Sequence, residues 1–408
     1  MADFGATELE SFRTEAREWL EANFPASLRR NRDAPADPEA AQAPSADAEL
    51  WRRRMGEKGW GVPTWPTEYG GGGLSAAEAR VLRDEMERIG AGNPIGGMGV
   101  GMFGPTLLEY GNDAQLKEHI PRIARGEVRW CQGFSEPGSG SDLASLQTKA
   151  EDKGDHFLIN GQKIWTSGAH LADMCFCLVR TDPKAKKHEG ISFLMIDMRQ
   201  PGVEARPIRL INDTTPFCET FFTDATAPKE NLVGPLNGGW TIAKRLLQFE
   251  RQGIGSAARA GQGGPGTLAG PPVNELAKTY LGVDEDGRLA DADLRSRITR
   301  HLMEAQAHAL TGERIALEAR SNRGPSATSS IMKNAGTMIR KERAELAVEI
   351  LGHQGVGWGG EGFSDYETNA IRVMLRSKSG TIAGGSQEVQ NNIIAKRILG
   401  LPDTTHST

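Results

Sequence analysis

The strongest constraint on how this chain folds is a change of apolar rhythm near Val128. Upstream, apolar residues recur at helical spacing, as in Leu9, Phe12, Ala16, Leu20 and Phe24, a period that keeps them on one stripe of a helix. From Val128 to Val233 they gather instead in short runs such as His156–Ile159, Met174–Val179 and Ile191–Ile196, broken by Gly, Pro and Asp. That is the texture of a β barrel or sandwich. Long helical periodicity returns from Trp240, most clearly over Ile298–Arg320 and Ile331–Leu351. A chain of 408 residues also exceeds what one hydrophobic core organises. The expectation is an α+β multidomain protein: an all-α domain over 1–126, a middle β domain over 127–234 and a helical bundle over 235–408.

Local signals refine this outline. Leu50 to Gly59 reads as a helix, Pro63 to Gly73 as a glycine-rich turn region, and Ser75 with Glu78 as a capping box opening a helix that runs to Ile89. The Ala/Pro/Asp-rich stretch from 32 to 47 reads as a loop or insertion. A net charge of -5 gives no reason to expect nucleic acid or an anionic membrane as partner. No apolar run approaches the roughly 20 residues of a membrane span, and the acidic, helical start does not resemble a signal peptide. Cys131, Cys175, Cys177 and Cys218 lack metal-ligand spacing, so the chain reads as reduced and cytoplasmic, with no metal site. Gly261 to Gly266 satisfies GxGxxG, but no strand precedes it and Pro265, Pro271 and Pro272 oppose a helix there. It reads as a loop rather than a dinucleotide site.

Chemistry concentrates in two stretches. Gly133-Phe134-Ser135-Glu136-Pro137-Gly138-Ser139-Gly140-Ser141-Asp142 packs glycines, hydroxyls and acids directly after Trp130-Cys131-Gln132. Glycine lets backbone approach a ligand, and free N–H groups and hydroxyls can grip phosphate or a polar ring edge. Asn160-Gly161-Gln162-Lys163-Ile164-Trp165-Thr166-Ser167-Gly168 follows, an aromatic trailed by two hydroxyls. Either stretch alone reads as an ordinary Gly/Ser loop, and Trp165 alone as a core aromatic of the barrel. Together they suit a flat cofactor with a polar edge.

Both stretches, in this order, resemble the signatures of the acyl-CoA dehydrogenase family, and the resemblance runs from near residue 8 to Pro402. It implies an N-terminal helical domain, a middle β domain and a C-terminal four-helix bundle. It also implies FAD as cofactor and α,β-dehydrogenation of an acyl-CoA thioester. In that scheme Gln132, Phe134, Ser135, Gly140, Ser141, Trp165, Thr166 and Ser167 belong to the flavin site. Ser141 also lies along the acyl-CoA channel, and Ser167 sits near flavin N5.

The reaction needs a base for the α-proton and donors to polarise the thioester carbonyl. Many members carry the base in Glu-Gly-Thr-x-x-Ile-Gln near the carboxy terminus. The matching run here is Gly384-Gly385-Ser386-Gln387-Glu388-Val389-Gln390, so Gly384 occupies the base position and offers only its backbone N–H. Isovaleryl-CoA and long-chain members keep the base on an earlier helix, before an arginine. Leu246-Leu247-Gln248-Phe249-Glu250-Arg251 resembles that segment. Glu250 is thus the expected base, with Gln248, Arg251 and Gly384 on the substrate side, although Glu250-Arg251 alone could be a solvated helix pair.

The resemblance places further flavin contacts at Glu349 and Gly352, in a run where Glu349 stands for the usual Gln, and at Ser386 and Glu388 in the tail. Lys278 is a candidate substitute for the family's flavin-phosphate arginine. The implied partners are an acyl-CoA, an electron-transfer flavoprotein and further subunits, as a dimer of dimers. Two alternatives stay open: a flavin monooxygenase or oxidase of the same fold, and a non-catalytic subunit of a mixed assembly, suggested by Gly384.

Overall fold

In the computed structural model, residues 4–29, 45–259, 270–320 and 328–402 are described. Most of the 32–47 segment and the Gly261–Gly266 run therefore lie outside the described residues. The chain divides into two compact units, the first running to Phe249 without Arg209–Thr214, the second holding that short segment and everything from Glu250.

The first unit opens with helices α1 (Phe4–Asn23), α2 (Ala46–Glu57), α3 (Ala76–Arg88), α4 (Gly104–Tyr110) and α5 (Asp113–Ala124). α3 starts at the expected capping box: Ser75 Oγ accepts from Glu78 N while Glu78 Oε2 accepts from Ser75 N. Buried Glu85 on α3 gathers Arg13, Arg17 and Arg88 at 2.7–3.1 Å and so ties α3 to α1. The Arg17 hydrogen bond, with help from Arg88 and Arg13, draws its carboxyl down to about 2 against the cost of burial. The folded value lies below the unfolded one, so the stabilisation is complete above about pH 4.3 and drains away as pH falls towards 2. Glu85→Gln is expected to lose on the order of 2 kcal/mol of stability at neutral pH. In thermal melts the gap from the unmodified protein closes as the medium is acidified.

Eight strands follow in one sheet: β1 (Trp130–Gly133), β2 (Lys149–Asp152), β3 (His156–Ser167), β4 (Met174–Arg180), β5 (Ile191–Asp197), β6 (Val203–Ile208), β7 (Phe217–Pro228) and β8 (Leu232–Val233). Their order is β6-β7-β3-β2-β4-β5-β8, with β1 parallel to β4. β4 and β5 are buried on both faces, which explains their unbroken apolar runs. Phe176, Leu178, Phe193 and Met195 join the core of the N-terminal helices, while Cys175, Cys177, Val179, Leu194 and Ile196 fill a second core on the other face. Phe103, ending a π-helical turn before α4, stacks on Trp130 at 4.0 Å and on Phe176 at 5.4 Å. Gln115 of α5 donates to the carbonyls of Glu230 and Leu232 at 2.7 and 2.9 Å. The N-terminal helices thus form one side of the β domain's core.

Helix α6 (Gly239–Arg259) begins in the first unit, where Ile242, Ala243 and Leu246 enter the shared core, and the division between units falls within it. The second unit contains α7 (Val273–Leu281), α8 (Ala292–Arg320), α9 (Thr328–Leu351), α10 (Asp365–Ser377) and α11 (Gln387–Arg397). α9 is the central helix, packed against α7, α8, α10 and α11. Ala344, Ala347 and Ile350 carry that core together with Leu276, Ile298 and Ala370. No described helix is long and apolar enough to cross a membrane.

Candidate active site

The two signature stretches meet as one ledge. Lys163, completely buried on β3, places Nζ 2.8 Å from Glu136 Oε1 and 3.0 Å from the Phe134 carbonyl. Glu136 also accepts from the backbone N–H of Gln147 at 2.6 Å and of Thr148 at 2.8 Å, and Ile164 N–H donates to the Ser135 carbonyl at 2.9 Å. Burial pushes the Glu136 carboxyl up, but the Lys163 charge and these donors outweigh it and hold the group below its ordinary value. A buried carboxylate with several donors and a cation is satisfied, so it fixes geometry rather than moving protons.

Beyond Glu136 the loop closes on itself. Glu136 and Ser139 exchange backbone hydrogen bonds at 3.0 Å each, and Ser139 Oγ caps the carbonyls of Asp142 and Leu143 at 2.9 and 3.1 Å. Within this frame the glycines have different tasks. A Cβ on Gly133 would sit 2.8 Å from Cys175 Sγ and 2.9 Å from Cys177 Sγ, so that glycine is demanded by strand packing and not by a ligand. Gly138 and Gly140 would meet nothing within 4 Å, which leaves the outer face of the loop open to close approach. Ser141 is exposed there, and Gln132 and Ser135 are half-buried.

Trp165 is not a core aromatic. The β3–β7 register slips between Lys163 and Thr166, and Trp165 in that irregularity has φ 60 and is 53% exposed, edge-on to Phe217 at 6.0 Å. A bulky residue in left-handed backbone costs about 1–3 kcal/mol and persists where surrounding structure enforces it. In this irregularity the indole lies largely in the open, one residue after Ile164, whose N–H bonds the Ser135 carbonyl. Thr166 differs from Trp165: the whole residue is buried, backbone included, with Oγ1 unpartnered among the described residues, so it offers no surface to a ligand here. Ser167 is half-buried at the strand end. The Phe134 ring is buried edge-on to Phe176 and Phe193 at 6.1 and 6.2 Å, leaving its backbone as the part available to a cofactor.

On α6, Gln248 is exposed and its Oε1 accepts from Arg245 Nη1 at 2.8 Å, while Arg245 pairs with Glu109 at 2.7 Å. Glu250 and Arg251 fall one and two residues beyond Phe249 on the same helix, and their side chains lie outside the described ones.

The second unit holds the remaining expected residues. Glu349 is held by Arg297 of α8 through two parallel bonds of 2.7 and 2.6 Å. Its charge is cancelled from α8, so the carboxylate is committed within its own unit. Gly352, with φ 56, ends α9 in the left-handed conformation helices favour at that point. Lys278 pairs with Glu275 at 2.9 Å one turn earlier. In the tail, Gly384 and Gly385 both have positive φ, 66 and 89. Ser386 caps α11 by accepting from Val389 N–H, and Glu388 is exposed in the first turn, its carboxyl held low mainly by the Ser386 hydrogen bond. Sequence reasoning missed Arg297, and it missed Lys333 and Gln390, which hold the carbonyls of Gly385 at 2.6 Å and Gly384 at 2.9 Å. Only the spacing of Gln390 from Ser386, one helical turn, hinted at such a contact.

Three domain models of one family match in chain order: the acyl-CoA dehydrogenase N-terminal domain over residues 6–127, the middle domain over 131–225 and the C-terminal domain over 237–399. The chain belongs to the acyl-CoA dehydrogenase family. Members are oxidoreductases acting on acyl-CoA and are built from a helical, a β and a second helical domain, as here. Acyl-CoA dehydrogenase IpdE1 of Mycobacterium tuberculosis is 35% identical over 405 residues, covering 97% of this chain and 98% of the relative. Among solved structures, the Tcur3481–Tcur3483 steroid acyl-CoA dehydrogenase is 29% identical with a TM-score of 0.74, over 98% of each chain. The ChsE4–ChsE5 complex of Mycobacterium tuberculosis is 29% identical with a TM-score of 0.72, over 97% of this chain and 98% of that one.

Proposed function

We propose that this chain is an FAD-dependent dehydrogenase that converts an acyl-CoA with a bulky, ring-bearing acyl group to its 2-enoyl thioester. The observation that carries the reading is the ledge: an exposed, strained Trp165 on a strand locked to an open glycine loop by the buried Glu136–Lys163 pair and the Ile164–Ser135 backbone bond. Such a surface fits a flat ring, with the Phe134–Ser135 backbone, the Ser135 and Ser167 hydroxyls and the Trp165 indole as its contacts. FAD held by these residues would supply the acceptor for the β-hydride. Glu250 takes the α-proton as base, and the Gly384 N–H polarises the thioester carbonyl, since Gly384 itself has no side chain to titrate. Ser141, Gln248 and Arg251 serve the acyl-CoA chain. Gly352, Ser386 and Glu388 serve the adenosine half of FAD, with Gly140 completing the loop side. An electron-transfer flavoprotein takes the electrons onward.

Support for a ring-bearing acyl group comes from the steroid acyl-CoA dehydrogenase among the similar structures. Two of those structures are named for pairs of chains, which favours an assembly with a second acyl-CoA dehydrogenase chain within a dimer of dimers. The test is a visible-spectrum screen of flavin bleaching against straight, branched and steroid-derived acyl-CoAs. Fastest reduction by a ring-bearing thioester is expected. A yellow protein bleached only by straight chains would overturn the substrate class. A protein that stays colourless in FAD unless a second chain is supplied would favour the subunit reading.

A further inference from the structure

The tail turn combines two features. First, Gly384, Gly385 and Ser386 present consecutive backbone N–H groups that find no acceptor among the described residues. Second, the carbonyls of the same turn are held from behind. Gln390 Nε2 donates to Gly384 O at 2.9 Å, and Lys333 Nζ, buried on α9, donates to Gly385 O at 2.6 Å. A trans peptide sets its C=O and N–H in opposite directions. Anchoring the Gly384 carbonyl therefore aims the Gly385 N–H away from Gln390. Anchoring the Gly385 carbonyl aims the Ser386 N–H away from Lys333. Glycines with positive φ have the widest conformational choice of any residue, so this turn is where outside restraint matters most. Successive N–H groups held in a turn make a concave donor set for a carbonyl oxygen or an anion.

The supports are specific to this use. Lys333 has no carboxylate within bonding distance among the described residues, and its ammonium is spent on one backbone oxygen while burial pulls its pKa down. Gln390 is 1% exposed, and its Oε1 has no partner in the described chain. A Cβ on Gly385 would come within 2.5 Å of Gln390 Nε2, so the amide is seated against the turn itself. Desolvating an ammonium and an amide for two carbonyls is unfavourable as a pure stability device.

We infer that Lys333 and Gln390 are positioning residues for the reaction: they fix the direction of the Gly385 and Ser386 N–H donors, which adjoin the Gly384 N–H that receives the thioester carbonyl, and orient the first turn of α11. This rests on the dehydrogenase reading above, in which Gly384 lies on the substrate side.

The experiment compares the full-length flavin-loaded protein with Lys333→Met, Gln390→Leu and Lys333→Arg. Hydrogen exchange is followed by mass spectrometry without substrate, and kcat and KM are measured with the thioester that bleaches the unmodified protein fastest. In Lys333→Met and Gln390→Leu, the protected amides of the 384–390 peptides, Val389 and Gln390 bonded to Ser386, are expected to exchange about tenfold faster, while peptides spanning 344–351 keep their rate. Flavin stays bound, kcat/KM falls about a hundredfold through kcat, and Lys333→Arg recovers most of the loss. If Lys333→Met does not fold, Gln390→Leu removes the second restraint and carries the same test. Unchanged exchange over 384–390 in the folded variants overturns the inference, whether or not any thioester reduces the unmodified protein. Faster exchange there with kcat unchanged overturns its catalytic part. Faster exchange in a protein that no acyl-CoA bleaches supports the hold on the turn and counts against the dehydrogenase reading instead.

Discussion

Glu250→Gln is expected to yield a folded, yellow protein whose flavin no acyl-CoA bleaches. An amide is isosteric with the acid but cannot accept the α-proton, and loss of a positioned general base lowers rates about 10²–10⁴-fold. The effect falls at the upper end here because the tail position that could take over the role holds Gly384. Anaerobic stopped-flow mixing with the best thioester measures it directly, and full flavin reduction at the unmodified rate would remove Glu250 from the mechanism. Flavin content must stay near that of the unmodified protein, since Glu250 is not proposed to hold the cofactor. Loss of both together would point to damage in α6 instead.

Lys163→Met has the second-largest expected effect and acts by a different route. It leaves the Glu136 carboxylate buried with its cation removed, a change that costs about 3–5 kcal/mol when a buried pair is broken. It also frees the Phe134 carbonyl, so the backbone proposed to face the flavin loses its anchor. The variant is expected to unfold well below the temperature of the parent and to be purified with little flavin. Glu136→Gln leaves the Lys163 ammonium buried without its carboxylate and turns an amide NH2 towards backbone donors, so it is also expected to melt below the parent. Equal melting temperatures and equal flavin content for parent and Lys163→Met would show that the ledge does not depend on this pair.

Much of the fold could be read from periodicity because each domain obeys one rule over a long stretch. The α3 capping box and the apolar runs of β4 and β5 each appear where local chemistry demands them. The candidate site was only half legible. Both members of the Glu136–Lys163 pair stand in conspicuous motifs, yet their partnership spans 27 residues and arises only when β3 passes the signature loop. Trp165 was visible as an aromatic, but its outward direction depends on a slip in the β3–β7 register that no single strand encodes. Arg297 carries no motif, and its grip on Glu349 follows from the packing of α8 on α9. The glycines of the signature looked alike in sequence. Strand neighbours decide that Gly133 serves packing while Gly138 and Gly140 stay open.

The left-handed backbone of Gly384 bears on the history open to this lineage. An L-residue with a side chain is disfavoured in that conformation by roughly 1–2 kcal/mol, and the turn cannot easily relax, because Gln390 and Lys333 hold the carbonyls of both its glycines. A codon change that put a carboxylate at this position would meet that strain at once, and under the proposed function, with Glu250 as base, it would gain nothing. If Glu250 is the base, as proposed, this turn acts as a ratchet on where that base can sit. Selection can refine the earlier helix step by step, whereas a base at the tail needs several coordinated changes, beginning with the residues that hold the turn.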